Sequence, residues 1–227
     1  MVILFDVDNT LLDNDAITAE LRAHLVRTGG ATAADEYFRI LEVLRVELGY
    51  ADYLGTLQRY RALHPRDFPF FGAASFLLDY RFATRLYEGA TAALRHAAML
   101  GMQAILSDGD AVFQPRKIAR SGVAAEVDGR VLIYVHKEQQ LADVERALPA
   151  DHYVVVDDKL RLLSAIKAQW GAKVTTVWVR QGHYASAPDV GKYPAADVGM
   201  AGIGEFTRYS AAVLRDAASQ RTERVRT

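Results

Sequence analysis

A chain of 227 residues, about half of them apolar and with a formal charge of −1, has material for one sizeable core and a smaller accessory unit. The near-neutral balance and a sequence pI of about 6.6 give no electrostatic basis for a nucleic-acid footprint or an anionic membrane surface, so a small molecule is the expected partner. The absence of cysteine excludes disulfides, thiolate nucleophiles and zinc-thiolate sites, and fits a reducing cytoplasm. With no signal-peptide pattern and no apolar run near ~18 residues, the protein is expected to stay in the cytoplasm, off the membrane.

The chain opens on Val2-Ile3-Leu4-Phe5, an unbroken apolar run that reads as a strand buried on both faces of a parallel sheet. It delivers Asp6, Asp8 and Thr10, spaced by two, into the loop at its carboxyl end, where open parallel sheets bind ligands. From 14 to 85 the pattern is helical: Ile17, Leu21 and Leu25 recur every four, and Tyr37, Ile40, Leu41, Leu44 and Leu48 form a second apolar face. Gly29-Gly30 and the stretch around Pro65 and Pro69 punctuate it. Lacking any strand pattern, this segment is predicted to be a helical insert over the first strand's loop, placed to act as a lid.

Beyond it, strands and helices alternate. Glu88-Gly89-Ala90 opens a helix that Gly101 ends, and a strand over 102–106 stops at Ser107-Asp108-Gly109. A helix over 115–121, a strand over 131–135, a helix over 137–147 and a strand over 152–156 ending in Asp157-Asp158 follow, then a helix over 161–170 and a strand over 174–179. Such alternation predicts right-handed crossovers and an α/β fold with a doubly wound parallel sheet. The tail offers a short apolar run near Val198, a helix over 206–218 and a polar end, 219–227, expected to fray. The division implied is 1–13 and 86–227 as an α/β core, with 14–85 as a helical domain.

Three strands thus end in polar residues, and several carboxylates held together call for a cation. An oxygen-only set suits a hard ion such as Mg2+. A dication beside hydroxyl and ammonium donors is in turn a site for phosphate.

Asp6-Val7-Asp8-Asn9-Thr10, then Ser107 after an apolar strand, a downstream lysine, and Asp157-Asp158 after another strand together resemble the four motifs of the haloacid dehalogenase superfamily of phosphotransferases. The resemblance spans the chain: Leu86-Tyr87-Glu88-Gly89-Ala90 and 94–101 are similar to the stretch that re-enters the core, and the insert is similar to the family's cap. It implies a Rossmann-like core with a small all-helical cap. It also implies Asp6 as nucleophile, forming an aspartyl-phosphate, and Asp8 as acid and base. Mg2+ would be held by Asp6, the backbone carbonyl of Asp8, and Asp158, with Asp157 as the other candidate of the acidic pair. Ser107, with the amides of Asp108 and Gly109 beside it, would meet phosphoryl oxygens. Family members acting as dehalogenases lack the second aspartate, so Asp8 favours phosphate esters over haloacids.

Lys137, just after the third strand, stands where the family's phosphate-binding lysine lies, and Lys117 is the competing choice. Lys159 and Leu162 depart from the commoner fourth motif, and Lys159 either binds phosphate or balances the acidic pair. The expected activity is that of a Mg2+-dependent phosphatase for a small phosphorylated metabolite; a phosphomutase and a catalytically silent binding protein are the alternatives.

Other patterns carry less. An EF-hand reading fails because Leu11 and Ile17 stand where glycine and glutamate are needed. The glycines from Gly199 to Gly204 are in the wrong order for a dinucleotide loop, Gly191-Lys192-Tyr193 lacks the rest of a phosphate loop, and the histidines, His136 included, show no metal spacing. Tyr50, Tyr53, Tyr60, Phe68, Phe70 and Phe71 are expected to be mainly insert core, with pocket lining as the alternative.

Overall fold

A computed structural model describes residues 1–66 and 68–224. In chain order it gives β1 (Val2–Phe5), α1 (Asn14–Gly29), α2 (Ala31–Leu48), α3 (Tyr53–Leu63), α4 (Ala73–Leu78) and α5 (Ala90–Leu100). Then come β2 (Met102–Asp108), α6 (Phe113–Ser121), α7 (Val123–Glu126), β3 (Val131–Tyr134) and α8 (Leu141–Ala147). The rest is β4 (Tyr153–Asp157), α9 (Leu160–Trp170), β5 (Val174–Val179), β6 (Val198–Met200) and α10 (Ala211–Arg224). The strands form one six-stranded sheet, ordered β3-β2-β1-β4-β5-β6, and every pairing is parallel. This is the doubly wound α/β sheet that the alternation predicts.

Both faces of β1 are covered. Ile3 and Phe5 face the apolar interior shared with α5 and the insert, while Val2 and Leu4 face the one built by α8 and α9. Burying such side chains contributes about 1.5–3 kcal/mol each, so the central strand is a firm base for the residues that follow it. The chain runs from β1 outward through β2 and β3, then returns to the other side of β1 as β4. The order reverses between β1 and β4, which is where sheets of this kind leave a crevice.

The segment 14–85 is helical apart from its turns. Asp13 starts α1 by accepting a hydrogen bond from the Ala16 N–H at 2.9 Å, and Gly49, at φ 82°, ends α2 in the left-handed conformation. The chain enters and leaves this segment side by side. The Asp13 N–H donates to the Arg85 carbonyl at 2.8 Å, the Tyr87 N–H to the Leu11 carbonyl at 2.9 Å, and Leu12 pairs antiparallel with Leu86. Phe113 of α6 meets Tyr53 and Phe82 edge-on, with ring centroids 5.6 and 5.8 Å apart, so the apolar interior is continuous from sheet to insert.

Several expected boundaries shift. β2 runs two residues further than expected because Ser107 and Asp108 pair with Ile133 and Tyr134 of β3. The helix expected over 137–147 is a short 3-10 turn, Lys137–Gln139, followed by α8; the Lys137 N–H is drawn to Asp108 Oδ1 at 2.8 Å. The helix expected over 206–218 is two pieces, Ile203–Arg208 and α10, parted at Tyr209 and Ser210, with Phe206 packed edge-on against Phe5 at 5.3 Å. Helix α10 continues to Arg224 through residues expected to fray; 225–227 lie outside the described residues. Among the described residues no helix is long and apolar enough to cross a membrane.

Candidate active site

The ends of β1, β2 and β4 bring the sequence-predicted residues to one rim. Carboxylate oxygens of Asp6, Asp157 and Asp158 lie within 4.8 Å of one another, all three side chains buried. Lys137 reaches into this group, 2.6 Å from Asp6 Oδ1 and 2.6 Å from Asp157 Oδ2, and also donates to the Leu106 carbonyl at 3.2 Å. Thr10 ties the two strand ends together: its hydroxyl donates to Asp6 Oδ2 at 3.3 Å and accepts from the Asp158 N–H at 3.0 Å. From the far side Gln181 Nε2 donates to the Asn9 and Thr10 carbonyls. Gly182, at φ 64°, lets that segment approach Asn9, for a Cβ there would sit 2.6 Å from the Asn9 Cβ.

The two members of the acidic pair are not equivalent. Asp157 is engaged, its Oδ1 accepting from the Lys159 N–H at 2.7 Å and its Oδ2 facing Lys137. Both carboxylate oxygens of Asp158 are buried with no hydrogen-bond partner. Burial first, then the charges of Asp157 and Asp6, pushes the Asp158 carboxyl well up from its ordinary value. Burial likewise raises Asp157, opposed by Lys137. For Lys137 burial acts to lower its value, but Asp157, Asp6 and Asp108 outweigh it and hold the ammonium charged. Unpartnered buried oxygens cost free energy unless something meets them. An all-oxygen donor set with more negative than positive charge suits a hard divalent cation, and Asp158 is the member of the pair with both oxygens unpartnered.

Asp8 sits at the edge of this group with partners of its own. Lys117, only 1% exposed, donates to Asp8 Oδ1 at 2.7 Å and to Asn14 Oδ1 at 3.1 Å. Gln114 Nε2 bridges Asp8 Oδ2 at 3.3 Å and Ser107 Oγ at 2.9 Å. Asn14, the first residue of α1, donates to the Tyr53 hydroxyl at 3.2 Å. The competition between the two lysines therefore resolves into a division: Lys137 stands on Asp6 and Lys117 on Asp8. The Gly109 amide, expected among the phosphate donors, already donates to the Tyr134 carbonyl at 2.9 Å, because β2 runs on into this segment. Asp108 spends Oδ1 on the Lys137 N–H.

A chamber of about 80 Å3 opens beside Asp8 between the rim and α2 and α3, walled by Asn14, Arg45, Tyr50, Tyr53, Gln114, Lys117, Lys159 and Tyr184 among others. Of the six insert aromatics, Tyr50 and Tyr53 line it. Tyr60, Phe68 and Phe70 pack on one another, and Phe71 is 78% exposed. Lys159 lies 5.0 Å over the Tyr184 ring; burial acts to lower its value, but Tyr184 and the negative charges of Asp158, Asp6 and Asp157 outweigh it and raise its ammonium. Gln114, Arg45 and Tyr184 carry no spacing signal; they come from α6, α2 and the short 3-10 turn His183–Ser186, which only the folded chain brings together.

A family model described as haloacid dehalogenase-like hydrolase matches residues 1–169. The chain belongs to this family. A haloacid dehalogenase-like hydrolase from Burkholderia xenovorans LB400 is 58% identical, with a TM-score of 0.90 over 92% of this chain and 98% of that one. The L-2-haloacid dehalogenase from Xanthobacter autotrophicus, at 20% identity, gives a TM-score of 0.61 over 91% and 96% of the two chains. CbbY from Rhodobacter sphaeroides in complex with phosphate, at 18% identity, gives 0.60 over 94% and 98%. The last two likenesses concern the fold alone. No curated protein matches the sequence. This haloacid dehalogenase-like hydrolase therefore has its fold and broad class from its relatives, and its chemistry has to be argued from its own side chains.

Proposed function

We propose that the protein is a Mg2+-dependent phosphatase of a small phosphorylated metabolite, working through an aspartyl-phosphate on Asp6, with the helical segment 14–85 as its cap. The observation that carries this reading is Asp8, held by Lys117 and Gln114 at the mouth of a buried three-carboxylate cluster. Structural neighbours include a haloacid dehalogenase and a phosphate complex, so the side chains must discriminate. Displacing halide from carbon needs no proton donor, because halide is a very weak base. An alkoxide leaving from phosphorus does need one, and a second carboxyl beside the nucleophile meets that need.

In the first step an Asp6 oxygen attacks phosphorus, the ester P–O bond breaks, and the leaving oxygen takes the proton of the Asp8 carboxyl. In the second, water gives its proton to Asp8 as its oxygen attacks phosphorus, and the Asp6–phosphorus bond breaks. Asp8 ends as it began, and the products are an alcohol and phosphate. The contacts of Asp8 with Lys117 and Gln114 match its ionised form, the one that receives the proton of water. Lys137 and the Ser107 hydroxyl supply donors for the phosphoryl oxygens. Asp6, the Asp8 carbonyl and Asp158 would hold Mg2+, which would neutralise charge on the phosphoryl group. Closure by the cap would exclude bulk water.

A panel of phosphate esters with Mg2+, run beside 2-chloropropionate, tests the reading. Phosphate release that disappears in Asp6→Asn is the expected result. Chloride release without phosphate release from any ester overturns it, and isomerisation of a sugar phosphate with little phosphate freed turns it to a mutase.

A further inference from the structure

We propose that the substrate carries a second anionic group, a carboxylate or another phosphate, recognised by Arg45 together with Lys159 and the Tyr184 hydroxyl. This rests on the phosphatase reading and specifies its substrate class. Arg45 comes from α2 and lines both the inner chamber and an adjoining outer groove of about 290 Å3. Its Nε is buried with no hydrogen-bond partner. Its other contacts are long: Nη1 lies 3.4 Å from the Tyr184 hydroxyl and Nη2 3.5 Å from the exposed Glu42. Lys159 lines the same two spaces; it sits in the field of Asp158, Asp6 and Asp157, yet among the described residues no carboxylate lies within ion-pair distance of its ammonium.

The acids that line the inner chamber are by contrast committed, and Asp189 of the outer groove accepts from the Tyr193 hydroxyl at 3.4 Å. Asp8 is held by Lys117 and Gln114, Asp108 by the Lys137 N–H, and Asp110 by the Val112 and Phe113 N–H groups. Among the side chains that line the inner chamber, the buried charged atom left without a partner is therefore the Arg45 Nε. A buried guanidinium donor without an acceptor is costly to keep. Arg45 presents a planar fork that suits a carboxylate or phosphate, with Lys159 as a second point charge. The inner chamber, about 80 Å3, is well under the ~300–1,000 Å3 of common ligand pockets. The ester is accordingly a compact one, with only a few carbons between its two anionic ends.

Matched esters provide the test. 3-Phosphoglycerate and glycerol 3-phosphate differ in a carboxylate, and propane-1,3-diol bisphosphate and its monophosphate differ in a second phosphate; phosphate release is measured for each with Mg2+. The expected result is a kcat/KM preference for at least one doubly anionic member, carried mainly by KM. In Arg45→Met that preference ratio is expected to fall by about 10- to 100-fold, the range of a lost charge-assisted hydrogen bond, and Arg45→Lys restores part of it. Which pair responds tells carboxylate from phosphate. Tyr184→Phe, which keeps the ring under Lys159, reads the same ratio should Arg45→Met fail to fold. Equal turnover within both pairs, or a preference untouched in these variants, overturns the anion subsite while leaving the phosphatase intact. No phosphate from any ester, including p-nitrophenyl phosphate, overturns the parent reading and this one with it.

Discussion

Replacing Lys137 by methionine puts the carboxylate cluster under the heaviest load. The side chain is 1% exposed, and its ammonium lies 2.6 Å from both Asp6 and Asp157. Methionine keeps most of the volume and removes the charge, so in metal-free buffer one more of the buried acids must take up a proton. Neutralising an aspartate whose ordinary value is 3.8 at pH 7, at about 1.36 kcal/mol per pH unit, caps the loss near ~4 kcal/mol. For a chain of this size each kcal/mol moves Tm by roughly 2–4 °C, so calorimetry in EDTA at pH 7 is expected to find a drop of up to about 8–16 °C. At pH 5 the same ceiling is only ~1.6 kcal/mol, and the drop shrinks to roughly 3–6 °C. The sign follows from the direction of the shift. An acid whose folded value is raised contributes stability that is complete below about 3.8 and is lost as pH climbs through the raised value. Equal drops at the two pH values, or none at pH 7, would refute the idea that Lys137 stabilises the fold by neutralising these acids.

Other outcomes follow from the same contacts. Asp6→Asn should abolish phosphate release by at least a factor on the order of a thousand while leaving the circular dichroism spectrum intact; residual turnover near wild type removes Asp6 from the nucleophile's role. Because burial pushes the Asp158 carboxyl well up, Mg2+ should raise Tm more at pH 8 than at pH 5, since at the lower pH protons compete for the same oxygens; thermal shift in both buffers reads this, and the opposite order counts against Asp158 as a ligand. Lys117→Met should lower kcat for ester hydrolysis by about 10- to 100-fold, part of the ~10²–10⁴ that acid-base catalysis contributes, with steady-state kinetics as the readout. Gly89→Ala forces a Cβ to within 2.5 Å of the Gly204 Cα at φ 81°, and urea denaturation should register a loss of about 2 kcal/mol or more.

Much of the sheet was legible because its strands are apolar runs bounded by charge. Val2-Ile3-Leu4-Phe5 and the run from Val174 to Val179 have the bounds that the sequence pattern suggests. Pairing shifts those ends when a neighbour offers a register, as β3 does for Ser107 and Asp108. Spacing could not separate Lys137 from Lys117, since each follows a strand of the same sheet. Long side chains on neighbouring turns reach different acids, and only three-dimensional placement tells which. The same holds for Asp157 and Asp158, adjacent in sequence yet opposite in fate, one facing an ammonium and the other facing no donor at all. Arg45 and Tyr184 were beyond sequence reading because 139 residues separate the members of that contact.

The paired backbone at Leu12 and Leu86, with its bonds from Asp13 to Arg85 and from Tyr87 to Leu11, has an evolutionary corollary. A detour that departs and returns through one zipped seam leaves the strand pairings beneath it intact, although its apolar side shares their core. Material of another length or composition that still covers the apolar face of β1 could be spliced between 13 and 85 with the buried carboxylates left where they are. Such a junction allows the helical segment to be exchanged while the rim of the sheet is inherited unchanged.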